Sequence, residues 1–288
     1  MNEFLYDVNT GLIAGILLLS MVLSMVLAIE LGHRLGLRSK GSTNEATRDH
    51  ISGIQSSILG ILALLLGFTF SLSLQRFDSR SEGVVEEANA IGTAYLRVQL
   101  LPATMRTDVR AVMRDYLDLR VQASVLTAVD WAERLELLEK AGRAQNAMWG
   151  YAVRALEVDP NAYTPTLFAE SVNQLIDSSG KRDAALSQHV PEVVLLLLYG
   201  TFLMTGAIVG FSTGIAGHRP SMVSYVLVAL IVVLVFIILD LDRPRRGLIE
   251  VSQKSLLDLQ SSIAADLGLA NAQKPGAVTL TLPRKTKQ

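Results

Sequence analysis

Between residues 57 and 75 a set of small and polar residues recurs at steps of three and four: Ser57, Gly60, Leu64, Gly67 with Phe68, Ser71 and Gln75. On a helix those steps place all of them on one face, away from most of Ile61, Leu62, Leu65, Leu66 and Leu72. Such a face supports one of two chemistries. Small residues let helices approach closely, so the stripe serves helix packing in many membrane proteins. The same stripe also suits a pore lining, with polar residues at its ends and an apolar constriction at Leu64 and Phe68, since apolar rings gate channels by dewetting. The stripe alone leaves both readings open.

Beyond Gln75 the same stretch carries Asp78, Glu82, Glu86 and Glu87. An acidic ring there would favour cations; pairing of those acids with Arg76, Arg80 and Arg97 would cancel the field. A second cluster, Asp240-Leu241-Asp242-Arg243-Pro244-Arg245-Arg246, sets two carboxylates beside three guanidinium groups. A salt-bridged anchor is the expected role, with a cation or lipid headgroups as alternatives. A calcium site needs about six oxygen ligands, and Asp240 and Asp242 supply too few. Gly206, Gly210 and Gly214 form a ladder every four residues, a close-packing signal. No catalytic constellation appears. His33, His50, His189 and His218 show no metal spacing, and there is no phosphate loop, nucleophile elbow or zinc-helix motif. With no cysteine, thiol chemistry and thiolate metal sites are excluded. An enzyme, a cofactor and a bound metal are therefore not expected, and the near-neutral net charge of −1 gives no footprint for nucleic acid.

The elements that must position these residues follow from the distribution of charge. Charged residues make up 18% of the 288, against roughly 25% in a soluble domain. Four stretches, 11–29, 53–75, 193–217 and 220–239, hold no Asp, Glu, Lys or Arg, so the remaining 201 residues carry all 53 charges. Each run has about the length a helix needs to cross a bilayer. Spans are expected at about 11–31, 53–75, 193–217 and 220–240, grouped as a first pair (1–75) and a second pair (191–240). A helical soluble domain (76–190) lies between the pairs; a juxtamembrane helix (241–270) and a loose tail (271–288) follow them. The opening residues carry Glu3 and Asp7 and no base, which is unlike a cleavable signal. Arg34, Arg38, Lys40, Arg48 and Arg219 flank the spans on one side. Arg76, Arg80, Lys181, Arg182, Arg243, Arg245, Arg246 and Lys254 flank them on the other. The excess places the termini and the central domain in the cytoplasm, although the first span alone argues the reverse.

Within the soluble domain every segment reads as helix. Only Gly83 interrupts Ser73 to Ala90, and one glycine does not stop a helix, so the second span should run on until Pro102. The next helix has an apolar face of Val109, Val112, Met113, Tyr116, Leu117 and Leu119. Another, capped by Asp130 with Glu133, packs through Trp131, Leu135, Leu138, Met148, Trp149 and Ala152 and closes at Asp159-Pro160. A third opens at Thr164-Pro165, packs through Phe168, Val172, Leu175 and Ile176, and ends at Ser178-Ser179-Gly180. The last span, free of polar residues in a stripe, is expected to face lipid. The fold class is all-α.

The run Leu66-Gly67-Phe68-Thr69-Phe70-Ser71-Leu72-Ser73-Leu74-Gln75-Arg76-Phe77-Asp78 resembles the pore helix of bestrophins. There an apolar triplet is followed at this spacing by Arg and two aromatics; Arg76 and Phe77 fit, and Asp78 replaces the second aromatic. The three apolar neck positions of that family fall on Gly60, Leu64 and Phe68, so the upper ring would be wider at Gly60. Asp240-Leu241-Asp242-Arg243-Pro244 resembles the acidic segment after the last bestrophin span, without its Phe. Glu86-Glu87-Ala88-Asn89-Ala90-Ile91-Gly92-Thr93-Ala94-Tyr95-Leu96-Arg97 and Asp240 to Gln253 are similar to signatures of a bacterial bestrophin-like family, over most of residues 10–265. The resemblance implies a homo-oligomeric, pentameric ion channel, multi-pass in a bacterial inner membrane, whose partners are lipid, inorganic ions and its own copies. Its second span would line the pore through Ser57, Ser71 and Gln75, with Asp78, Glu82 and Glu86 in the cytoplasmic continuation. A non-conducting scaffold or sensor, whose helical domain binds a partner, is the alternative.

Overall fold

The computed structural model describes residues 3–42, 45–126, 130–158, 163–243 and 248–272. They form eight α-helices: α1 (Glu3–Ser39), α2 (Glu45–Arg97), α3 (Ala103–Val125), α4 (Trp131–Val158), α5 (Tyr163–Ser187), α6 (Glu192–Ala216), α7 (Met222–Asp242) and α8 (Lys254–Ala272). No strand occurs among the described residues, and the chain is all-α as its sequence predicts. Four helices are long and apolar enough to cross a membrane. The chain divides into two compact units. One comprises residues 1–83 and 181–251; the other comprises 84–126, 130–180 and 252–288.

In the membrane-spanning unit the helix limits follow from backbone chemistry. Pro191 precedes α6 in extended geometry, where its missing N–H costs nothing. Gly217 ends α6 with φ of 77°, and its N–H returns to the carbonyls of Gly214 and Thr213. The core consists of Met21, Met25 and Ile29 from α1, Leu62 and Leu66 from α2, Leu198 and Phe202 from α6, and Val228, Ile231, Val232, Val235 and Ile238 from α7. That last set corrects the expectation for α7. One of its faces is core, and only the other, with Met222, Val223, Val226 and Leu230, is exposed. Three threonine hydroxyls inside the spans bond their own helix: Thr69 to the Leu65 carbonyl (2.6 Å), Thr201 to Leu197 (2.6 Å) and Thr205 to Thr201 (2.9 Å). A hydroxyl satisfied in this way adds no unpaired group to an apolar medium.

The glycine ladder is the seam between α6 and α1. A Cβ at Gly206 would strike Met25; at Gly210 it would overlap the carbonyl of Ile29, and at Gly214 that of His33. The partner surface is built the same way. Gly32 lies against the Ala207 carbonyl and Gly36 against that of Phe211. Without water to drive association, close backbone approach supplies the contact energy between spans.

In the other unit α2 continues without interruption from Val84 to Arg97, as the sequence predicts. Gly83, at the end of the first unit, does not break the helix; its missing Cβ makes room for the backbone of Arg182. The core joins Val84, Ile91 and Ala94 of α2 to Val109, Met113 and Leu117 of α3, Met148 and Ala152 of α4, Phe168, Val172 and Leu175 of α5, and Leu256 of α8. Two expectations are corrected here. Helix α5 does not end at Ser178-Ser179-Gly180 but runs to Ser187, because the Ser178 and Ser179 hydroxyls bond the carbonyls of Leu175 and Ile176 in their own helix. On α4 the buried residues are Leu137, Ala141, Met148, Ala152 and Ala155, so Trp131 and Leu135 stay largely exposed and Trp149 partly so. The helix ends at Val158; Asp159-Pro160 lies outside the described residues. Among the described residues, 243 and 248–253 are not helical, and the part of 241–270 that follows them forms α8 from Lys254. The tail from 273 onward lies outside the described residues.

The seam gives a direct test. Gly210→Leu should lower unfolding stability in detergent by about 2 kcal/mol or more, since the side chain has only backbone to displace. Gly200→Ala on the same helix, where a Cβ meets nothing, should be neutral or slightly stabilising.

Candidate functional site

The candidate site is a helix face, and its orientation depends on what the opposite face buries. Leu62, Leu66, Thr69, Ser73 and Arg80 are buried on α2. About half a turn away lie Ser57, Gly60, Leu64, Gly67, Phe68, Ser71 and Gln75, all exposed in the single chain. Leu64 and Phe68 expose 60% and 63% of their surface, and nothing comes within 4 Å of a Cβ built on Gly60 or Gly67. None of the described residues therefore packs on these two glycines. The next residues on that face, Asp78, Glu82 and Glu86, are exposed as well. The steps of three and four do place these residues on one exposed face of α2.

The three bases of α2 that stand near these acids make contacts with other elements. Arg80 is buried and donates to four backbone carbonyls: Gln188 (2.7 Å), Leu241 (2.9 Å), Asp242 (3.1 Å) and Ala185 (3.3 Å). Arg76 reaches the Gln188 side chain at 3.5 Å. Arg97 donates to the Leu167 carbonyl and stands 3.8 Å from Glu170. Glu87 leaves the acidic set altogether. It is fully buried, accepting Arg120 Nε at 2.6 Å and Nη2 at 3.1 Å, with the Tyr116 hydroxyl at 3.0 Å. Gln145 donates to both Tyr116 and Ser179, so one polar chain links α2, α3, α4 and α5. Burial, and then the neighbouring Glu87 carboxylate, push the Tyr116 phenol far above its usual pKa. It stays protonated and donates.

The two acids of the charged cluster lie at the end of α7 and accept backbone N–H groups. Asp240 accepts the backbone N–H groups of Leu248 and Ile249 at 2.9 Å. Asp242 accepts that of Val190 at 2.8 Å, with His189 at 3.7 Å. Both carboxylates are buried, while Arg243 is exposed and Arg245 and Arg246 lie outside the described residues. The two acids tie backbone segments together. Sequence reasoning missed Arg80 and the Glu87–Arg120 pair as structural groups. One signal was present: Glu87 stands on the apolar face marked by Val84, Ile91 and Ala94, where a carboxylate requires a partner.

Comparison with known proteins now becomes decisive. The family model described as the bestrophin-like domain matches residues 22–256. The chain belongs to the bestrophin-like family. Its fold is that of bacterial bestrophin homologues from Klebsiella pneumoniae. One variant of that protein superposes with a TM-score of 0.64 at 15% identity, covering 86% of this chain and 99% of its own. A second variant gives 0.64 at 16% identity, with 89% and 98% covered, and a third form gives 0.57 at 17%, with 88% and 99% covered. No protein of curated function matches the chain. This bestrophin-like chain is a membrane protein with the fold of those bacterial homologues.

The buried pair of the bestrophin-like fold is open to measurement. Glu87→Ala should destabilise the protein by about 3–5 kcal/mol, because it strands the Arg120 guanidinium out of water. Glu87→Met combined with Arg120→Met should recover most of that loss in thermal unfolding.

Proposed function

We propose that the protein is an oligomeric ion channel in which α2 lines a central pore. The exposed stripe carries this reading. A face bearing Ser57, Gly60, Gly67, Ser71 and Gln75, running on into Asp78 and Glu82, is poorly suited to lipid. Surrounded by copies of itself, the same face meets water. Leu64 and Phe68 then form an apolar neck, short enough to conduct when wet, and Gly60 leaves the ring above them wide. Five copies around one axis, with the second unit and both termini in the cytoplasm of a bacterial inner membrane, follow the family resemblance and the excess of bases on that side.

The charge placement favours cations. From Gly53 to Gln75 the lining carries no charge, so selectivity falls to Asp78, Glu82 and Glu86 beyond it. Arg76, Arg80 and Arg97 are engaged with Gln188, backbone carbonyls and Glu170. A ring of carboxylates concentrates cations at the pore axis. A second reading, a non-conducting scaffold or sensor, draws on α4, whose Trp131 and Leu135 are exposed enough to receive a partner.

Purified protein in planar bilayers should conduct, and Phe68→Ala should raise single-channel conductance or alter selectivity. Silence under varied voltage, pH and calcium, from a protein that remains oligomeric, would favour the scaffold. Glu82→Gln should move the reversal potential toward that of an unselective pore in a salt gradient, with thermal unfolding unchanged. The mass of the detergent-solubilised complex should correspond to five chains.

A further inference from the structure

The lining face of α2 does not begin at Ser57. Counting back by the same steps of three and four reaches Ile54 with Gly53, and then His50. The structure gathers these residues. Asp49, His50, Gly53, Ile54, Ser57 and Ile58 line one open groove at the start of the helix. No other element lines it among the described residues, so the titratable groups facing His50 are those of its own helix: Asp49 within the groove and Arg48 beside it, both exposed. His50 is exposed too, and no other histidine lies on α2. The other three are placed elsewhere: His33 against Thr213 on α6, His189 against Asp242, and His218 in the turn after α6.

We propose that His50 is a proton-sensing residue at the end of the pore nearest the loop joining α1 to α2. The inference rests on the pore reading above. Histidine is the side chain whose charge changes between about pH 5 and 8. Within the assembly each copy presents one imidazole on the lining face. Protonation adds one positive charge per subunit at a single level of the pore, directly before a span that holds no countercharge from Gly53 to Gln75. A ring of like charge at a mouth repels cations and lowers their local concentration. Asp49, one position around the helix, is the neighbouring carboxylate that opposes this field, and Arg48 adds to it.

The test is cation current through the purified full-length protein in planar bilayers, with acid applied to each side in turn. Lowering the pH from about 8 to about 5.5 on the α1–α2 loop side should reduce wild-type current by roughly threefold or more. The same step on the other side should act less. His50→Gln should conduct with no response to acid on the loop side, His50→Lys should carry low current at both pH values, and Asp49→Asn should deepen the wild-type block. A conducting wild type that ignores acid on the loop side overturns the proposal while the pore reading stands. So does His50→Gln that keeps full acid sensitivity. A wild type that never conducts at any pH overturns both.

Discussion

The guanidinium of Arg80 is the constraint on which the membrane-spanning unit depends. The last carbonyls of a helix lack intrahelical partners and carry partial negative charge. Arg80 takes Leu241 and Asp242 from the end of α7, together with Ala185 and Gln188 from the end of α5 and the link beyond it. One buried cation thus closes two helix ends and fixes both to the middle of α2. The complementary deficit, unpaired N–H groups, is met by Asp240 at Leu248 and Ile249 and by Asp242 at Val190. The charges in this junction bond backbone groups, and such a group left buried and unpaired costs about 1–3 kcal/mol. Because Arg80 must point inward, the rotation of α2 about its axis is set. The face bearing Ser57, Leu64, Phe68 and Ser71 must then point outward.

The glycine seam performs a different task. Between α1 and α6 the backbones approach so closely that four positions, Gly32, Gly36, Gly210 and Gly214, cannot carry a Cβ without displacing the backbone of the opposite helix, and at Gly206 a Cβ would strike the Met25 side chain. This contact is sterically specified and leaves little freedom for register shifts. In the second unit specificity comes from a polar chain. Glu87, Arg120, Tyr116, Gln145 and Ser179 each require a partner contributed by another helix. An ion pair buried this deeply offsets its own desolvation only when its geometry is complete, so a misplaced helix would leave a charge exposed to an apolar core.

Patterns with a period were legible in the sequence, and pairings across the chain were not. The four spans followed from uncharged runs, the continuity of α2 from the absence of a stop signal near Gly83, and the outward stripe from spacing of three and four. By contrast, Ser178-Ser179-Gly180 reads as a terminator because its composition is that of a turn. The hydroxyls instead bond back to Leu175 and Ile176, and packing carries α5 to Ser187. Trp131 reads as core because tryptophan on a helical face is usually buried, yet the alanines of α4 hold that place. Nothing local marks Arg80 as a cap for helices more than a hundred residues further along, and a flanking base beside a span reads as a topology signal.

Glu86 and Glu87 carry the same side chain on consecutive positions, and about 100° of helical rotation divides their roles. Glu87 faces Arg120 and Tyr116 and becomes part of the core. Glu86 is exposed on the face that holds Asp78 and Glu82. The same division applies to the bases of α2: Arg80, one residue before a position on the opposite side, is drawn in by carbonyls. The charge presented by the outward face is therefore fixed by which groups the interior has already taken. The interior takes Arg80 through backbone carbonyls and Glu87 through Arg120 of another helix, and Asp78, Glu82 and Glu86 stay on the outer face of α2. The position of Arg80 thus sets which charged side chains of α2 face inward and which face outward.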